Sequence, residues 1–192
     1  KGQSISVLPS GERAKIQDIF LYKKSLSSAE VGQSVTIVMD REIDISRGDI
    51  IVPVDLPCEI SDQFQAKIIW MDKDFGYLGR SYLMKIGTQT ILVQITKIKY
   101  KIDINSFEQH AASNLELNNL YVLNLKTNKF IPFEEFKVSR SLGGFVLIDR
   151  ISNKTLAAGM IDFGLQRARN IHQYQMSIDK KSRRYLNGHS SK

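Results

Sequence analysis

The side chains in this 192-residue sequence that could carry chemistry are few: three histidines, one cysteine, and a handful of arginines and aspartates. His110, His172 and His189 are scattered, and only Cys58 could join them, so no zinc-ligand spacing exists. Cys58 follows Pro57 without a cationic neighbour that would lower its pKa, and it reads as a packing residue. Asp103 and Asp162 lie beside strand ends. Separated carboxylates can form a glycosidase pair, but turn and loop roles are commoner for them. Arg80, Arg140 and Arg150 have the planar, bidentate geometry that phosphate requires, although a surface arginine paired with a carboxylate is the more usual case. His172, in Arg169-Asn170-Ile171-His172, reads as an interface or capping residue. The sequence contains no Gly-x-x-x-x-Gly-Lys-[Ser/Thr] loop, no Gly-x-Gly-x-x-Gly fingerprint and no Gly-x-Ser-x-Gly elbow. Leu142-Gly143-Gly144-Phe145 is too short to cradle phosphate and reads as a loop turning into a strand.

Charge narrows the classes further. The net charge is +7, but Gln173 to Lys192 holds five basic residues against Asp179, which leaves +3 for the other 172 residues. A uniformly basic, nucleic-acid-binding face is therefore not indicated. Hydrophobic residues make up 42% and charged residues 24%, a globular mix that excludes disorder. No apolar run reaches the roughly 20 residues that span a bilayer, so no membrane association is expected. A single cysteine excludes an internally stapled secreted fold and points to a reducing compartment, with the cytoplasm as the expected location.

The elements that must position these residues are mostly strands. Ser4 to Leu8 is followed by Pro9-Ser10-Gly11. Val35, Ile37 and Met39 alternate on one face of Ser34–Met39. The β-branched run Ile50 to Val54 is expected to be a strand buried on both faces. Phe64, Ala66, Ile68 and Trp70 alternate, and Arg80–Ile86 and Thr90–Ile102 flank a hairpin turn at Gly87-Thr88-Gln89. Within the second of these, Ile91, Val93 and Ile95 are odd-numbered, whereas Ile98, Tyr100 and Ile102 are even. Such a slip predicts a β-bulge near Thr96-Lys97. Leu120–Leu125, Phe145–Ile151 and Leu156–Ile161 complete the strands, with turn chemistry at Lys126–Lys129 and Ser152–Lys154. Helical spacing is confined to Asn105–Leu117 and to a basic stretch, Ile178–Leu186. The fold class is all-β, a barrel or sandwich.

A boundary falls near Asp55–Glu59, where Pro53 and Pro57 disfavour a sheet interior. The expected organisation is a first β-unit over residues 1–57, truncated at its N-terminus, a complete second unit over 58–172, and a linker or the start of another domain over 173–192. The start at Lys1 is expected to be a cut within the domain of a longer chain.

Several stretches resemble one family. They are Val7-Leu8-Pro9-Ser10-Gly11, Glu42 to Asp49 (EIDISRGD), Ala66 to Met71 (AKIIWM), Gly79 to Thr88 (GRSYLMKIGT), Gly143 to Arg150 (GGFVLIDR), Ala158-Gly159-Met160-Ile161 and Ala168 to His172 (ARNIH). Their order, from about residue 4 to 172, is similar to the large, GTPase subunit of bacterial sulfate adenylyltransferase, a relative of elongation factor Tu. Met176 to His189 resembles the lead-in to adenylylsulfate kinase, as in the fusion of the two enzymes.

The resemblance implies two consecutive translation-factor-like β-barrels with a short basic C-terminal tail. It implies a parent that makes adenylylsulfate from ATP and sulfate, driven by GTP hydrolysis, with GTP, ATP and Mg bound elsewhere and no cofactor in this region. It implies as partners a small adenylyltransferase subunit and the chain's own GTPase domain, with nucleic acid disfavoured. No catalytic, cofactor-binding or metal-binding residue of the family maps onto this sequence. Arg80, Arg140, Arg150 and His172 are the residues expected to touch a partner or neighbouring domain. Two alternatives stand beside this reading: tRNA- or ribosome-binding barrels of a translation GTPase, and an independent enzyme with a split carboxylate site.

Overall fold

The computed structural model describes residues 1–165, and it is almost entirely β. The elements in chain order are β1 (Ser4–Leu8), β2 (Glu12–Leu21), β3 (Lys24–Leu26), β4 (Thr36–Met39), β5 (Ile50–Pro53), β6 (Glu59–Trp70), β7 (Ser81–Ile86), β8 (Gln89–Ile102), β9 (Gln109–His110), β10 (Leu120–Phe133), α1 (Arg140–Gly143), β11 (Gly144–Ile148) and β12 (Thr155–Gly164).

The first five strands form one sheet, ordered β3-β2-β1-β5, with β4 also paired to β2. Its small core collects Ile5, Val7, Ala14, Ile16 and Ile19, with Val35 and Met39 packed against them. Alternation explains the selection: Ala14 and Ile16 point inward while Lys15 between them is exposed. The burial expected for β5 on both faces is not observed. Only Val52 is buried and Ile51 is 37% exposed, because β5 is the last strand of the sheet and pairs with β1 alone. Pro53 ends it, as the absent backbone donor requires.

The later strands close on themselves. The order β10-β6-β12-β11-β7-β8 is completed by pairing of β10 with β8, giving a six-stranded antiparallel barrel. Inward residues from every strand fill it, with Phe64, Ile68, Trp70, Tyr82, Met84, Tyr121, Leu123 and Leu125 all fully buried. The phase change in β8 is realised as two bulges. Leu125 faces Ile95 and Asn124 faces Lys97, which leaves Thr96 unpaired; Leu123 faces Ile98 and Val122 faces Tyr100, which leaves Lys99 unpaired. Each extra residue bends the strand, as barrel closure requires.

Two local expectations fail for tertiary reasons. The stretch Lys126–Lys129 is not a turn but the irregular middle of β10. There Thr127 is buried, and its hydroxyl donates to the carbonyls of Asp62 (3.1 Å) and Lys129 (2.8 Å), so a polar residue is accommodated inside a strand. The helical spacing over Asn105–Leu117 yields turns and β9 instead. Phe107 adopts φ 59° and is exposed, while Leu115 is drawn into the barrel core and Ala112 packs against it. The only described helix, the single turn α1, lies in a stretch read as loop, capped by the Ser139 hydroxyl accepting from the Leu142 amide. The basic stretch Ile178–Leu186 lies outside the described residues. Between the two sheets, the Gln89 side-chain amide donates to the carbonyl of Gly48.

Candidate docking surface

Trp70 ends β6 and organises one mouth of the barrel. Its indole is 1% exposed, and the indole N–H donates to the Asp74 carbonyl at 2.8 Å. That bond folds the β6–β7 loop, residues 71–80, back over the ring. Gly76 then exchanges two backbone hydrogen bonds with Leu115, at 3.0 and 2.8 Å, which ties this loop to the one preceding β10. Only glycine fits at 76, since a Cβ there would lie 2.7 Å from the Trp70 ring and 2.9 Å from Leu115 Cδ1. Farther along, the Tyr77 amide donates to the Tyr82 hydroxyl at 3.2 Å. The Tyr82 ring meets Trp70 edge-on, with centroids 5.9 Å apart.

The loop's last residue is Arg80. Its guanidinium lies 5.6 Å from the Tyr82 ring centroid and is bonded through Nη2 to Asp149 Oδ2 at 2.5 Å. Asp149 is itself a hub of the β11–β12 turn. Its Oδ1 accepts from the amides of Ile151 (3.0 Å) and Ser152 (2.8 Å) and from the Ser152 hydroxyl (3.0 Å). These backbone donors, chiefly Ser152 and Ile151, hold the carboxyl well below the ordinary carboxylate range, at about 2, and Arg80 adds to the effect. A carboxylate held lower in the folded than in the unfolded chain stabilises the fold fully above the unfolded pKa, and that stability is lost as pH falls through the folded one. Unfolding of Asp149→Asn followed between pH 5 and 2 should accordingly show a shallower acid-side loss of stability than the wild type; identical slopes would exclude the carboxylate hub.

On this pinned scaffold sit apolar side chains that the core does not use. Met71, Phe75, Tyr77 and Leu78 on the loop, with Ile69 and Leu117 beside it, are each about half exposed. Phe75 and Tyr77 pack edge-to-face at 6.4 Å, so the patch is an ordered surface rather than a set of separate residues. Aromatic residues in a fixed loop are the signature of a protein–protein contact. Beside the loop, a cavity of about 450 Å³ is lined by Arg80, Ser81, Asp149, Arg150 and Ile151.

Residues 63–162 match the family model described as GTP-eEF1A C-terminal domain-like. The chain belongs to that family. Within the GTP-eEF1A C-terminal domain-like family, its relatives include the bifunctional enzyme NodQ of Rhizobium sp. (strain N33), 38% identical over 182 residues that cover 95% of this chain and 28% of NodQ. The bifunctional enzyme CysN/CysC of Xylella fastidiosa is 37% identical over 191 residues, covering 100% of this chain and 31% of that protein. Sulfate adenylyltransferase subunit 1 of Saccharophagus degradans is 38% identical over 160 residues, covering 83% of this chain and 34% of the subunit. The chain thus spans about a third or less of the curated relatives it matches. The structure of sup35 complexed with GDP is similar in fold, with a TM-score of 0.77 at 21% identity over 86% of this chain and 41% of that one. The likeness extends over both sheets: a closed barrel and a half-barrel of the translation-factor kind.

Of the four residues singled out in the sequence, Arg80 and Arg150 line one cavity, with Arg80 committed to Asp149 and Arg150 exposed. Arg140 opens α1, exposed, away from that cavity's lining. His172 lies outside the described residues. Asp103 and Asp162 have local tasks. Asp103 accepts from the amides of Asn105 and Ser106, and Asp162 is bonded to Lys67 (2.9 Å) and Gln65 (3.2 Å). Burial and the charge of Glu134 push the Cys58 thiol up to about 11, which suits packing rather than reactivity. Among the described residues no group of three His, Cys, Asp or Glu is arranged to hold a metal ion, and no helix is long and apolar enough to cross a membrane. The sequence reading missed the loop aromatics. Their signal is Phe75-Gly76-Tyr77-Leu78, an apolar run placed between strands where polar turn residues are usual.

Proposed function

We propose that this chain is the β-barrel region of a GTP-dependent sulfate adenylyltransferase large subunit, in a cytoplasmic protein also carrying adenylylsulfate kinase. In that protein ATP and sulfate give adenylylsulfate, and GTP hydrolysis in a separate domain drives the reaction. The barrels are non-catalytic. They transmit switch movements of the GTPase domain to a small adenylyltransferase subunit. GTP, ATP and Mg bind outside this region. The reading is supported by the match to CysN/CysC along the full length of the chain. The surface that suits the partner subunit is the pinned aromatic loop, because a lever must grip with a part that does not yield. The occupant follows from the relative called subunit 1, a name that implies a second subunit.

The test is made in the parent protein that contains this chain. Phe75→Ala and Tyr77→Ala should each weaken binding of the small adenylyltransferase subunit by about tenfold or more, the size of an interface hot spot, while GTP hydrolysis without that subunit stays unchanged. Wild-type affinity in both variants would remove the docking assignment. Tight, salt-dependent tRNA binding by the wild type would favour a translation GTPase instead.

A further inference from the structure

Among the described residues, those other than glycine with a positive φ are Tyr22 (54°), Phe107 (59°), Asn118 (58°) and Asn153 (57°). Asparagine adopts this left-handed region readily, but a bulky side chain does not. Tyr22 lies in the two-residue turn between β2 and β3, where Lys23 and Lys24 follow it and no apolar side chain stands next to it in the turn. Phe107 differs, because a braced loop presents it together with a second apolar side chain.

Strands β8 and β9 pair as Lys101 opposite His110 and Ile102 opposite Gln109, and residues 103–108 form the tip of that hairpin. The Asp103 carboxylate accepts from the amides of Asn105 (2.8 Å) and Ser106 (3.1 Å). The Asp103 amide donates to the Glu108 carbonyl at 3.0 Å, and the Phe107 amide donates to the Asp103 carbonyl at 2.8 Å. These bonds fix the backbone of the tip while its apolar side chains stay in solvent: Phe107 is 78% exposed and Ile104 65%. Burial in the barrel therefore does not offset the left-handed backbone at Phe107. Strain of this kind clusters where function uses it.

The hairpin rises from the same mouth of the barrel as the aromatic loop. Ile102 faces Leu120 and Leu120 faces Ile69, so β8 leaves the barrel where β6 does. The Gly76–Leu115 bridge ties the segment after β6 to the one between β9 and β10. The tip carries no lysine or arginine, and its charged residues are Asp103 and Glu108. An anionic bilayer, which attracts basic side chains, does not suit it. An apolar ring on a rigid stalk suits a pocket in a protein.

We propose that Phe107, with Ile104 on the same tip, is a knob that inserts into an apolar pocket of the small adenylyltransferase subunit, extending the contact made by the Phe75–Leu78 patch. The inference rests on the docking surface proposed above and adds a separate anchor to it. The subunit is the occupant because tip and patch share one mouth, so the hairpin continues the surface on which that subunit is seated.

Phe107→Asn in the parent protein tests this, since asparagine tolerates the φ but removes the ring. Affinity for the small adenylyltransferase subunit should fall by about tenfold or more, while the melting temperature stays the same or rises. Phe107→Leu, which keeps an apolar knob, should lose less affinity than Phe107→Asn. A melting temperature that fell in step with binding would show a structural role for the ring and overturn the inference. Wild-type affinity in Phe107→Asn would overturn it too. If Phe75→Ala and Tyr77→Ala still weakened binding, the mouth would remain the docking surface and only the knob would be lost; wild-type affinity in all three would remove both. Capture of the wild type by phosphatidylserine vesicles, abolished in Phe107→Asn, would assign the tip to a bilayer and likewise end the proposal.

Discussion

Trp70→Ala is expected to lower the unfolding free energy by about 3–5 kcal/mol, the range for truncating a buried aromatic side chain, which for a chain of this size is roughly a 10 °C drop in melting temperature. Two losses add up. The cavity opens against Tyr82 and Leu115, both fully buried neighbours in the same core. The bond from the indole N–H to the Asp74 carbonyl disappears, and with it the anchor that folds residues 71–80 over the barrel mouth. Trp70→Phe separates the two effects. It keeps most of the packing but leaves the Asp74 carbonyl without its donor, so the loss should be smaller while the loop still loosens. Thermal unfolding together with hydrogen exchange of the Asp74–Arg80 amides makes the comparison. If Trp70→Ala melted like the wild type, the loop would not be held from within the core, and the rigid docking surface would lose its basis.

How far the sequence foretold this surface depends on what each residue answers to. Strands were legible wherever one face had to be apolar: Phe64, Ala66, Ile68 and Trp70 alternate because the barrel interior demands it, and the β8 slip at Thr96 was visible because it puts Ile98 on the inner face, whereas the second bulge at Lys99, which reverses the phase again, was not. Reading failed where a distant partner decides. Thr127 looks like turn chemistry until the Asp62 carbonyl is brought to its hydroxyl. Leu115 looks helical beside Ala111 and Ala112 until the Gly76 bridge draws it into the core. The β-branched run at Ile50–Val52 has the composition of a central strand, and sheet order alone makes it an edge. For the candidate site, Arg80 and Arg150 could be chosen by residue type and Ser152–Lys154 reads as a turn, but the role of Asp149 as acceptor for the Ile151 and Ser152 amides depends on how that turn folds back.

The glycine pair Gly143-Gly144 was legible as a loop entering a strand, but the physical reason is different and gives a second large effect. Gly143 closes α1 where that turn packs against the segment after β10. A Cβ there would sit 2.5 Å from the Phe136 nitrogen, 2.6 Å from the Glu134 oxygen and 2.6 Å from Phe136 Cα. All three are backbone atoms, so no rotamer change relieves the clash. Alanine in place of glycine within a helix normally gains up to about 1 kcal/mol, so the two terms oppose one another. The clash should win, for a net loss of about 3 kcal/mol. Moving α1 outward breaks the bond from the Glu134 amide to the Leu142 carbonyl, and moving the segment breaks the bond from the Phe136 amide to Ile161 on β12. Either shift reshapes the groove of Phe136 and Phe163. Denaturant unfolding of Gly143→Ala decides between the terms. A neutral or stabilised variant would mean that α1 can slide freely over the barrel, and that helix propensity rather than close backbone approach governs this position.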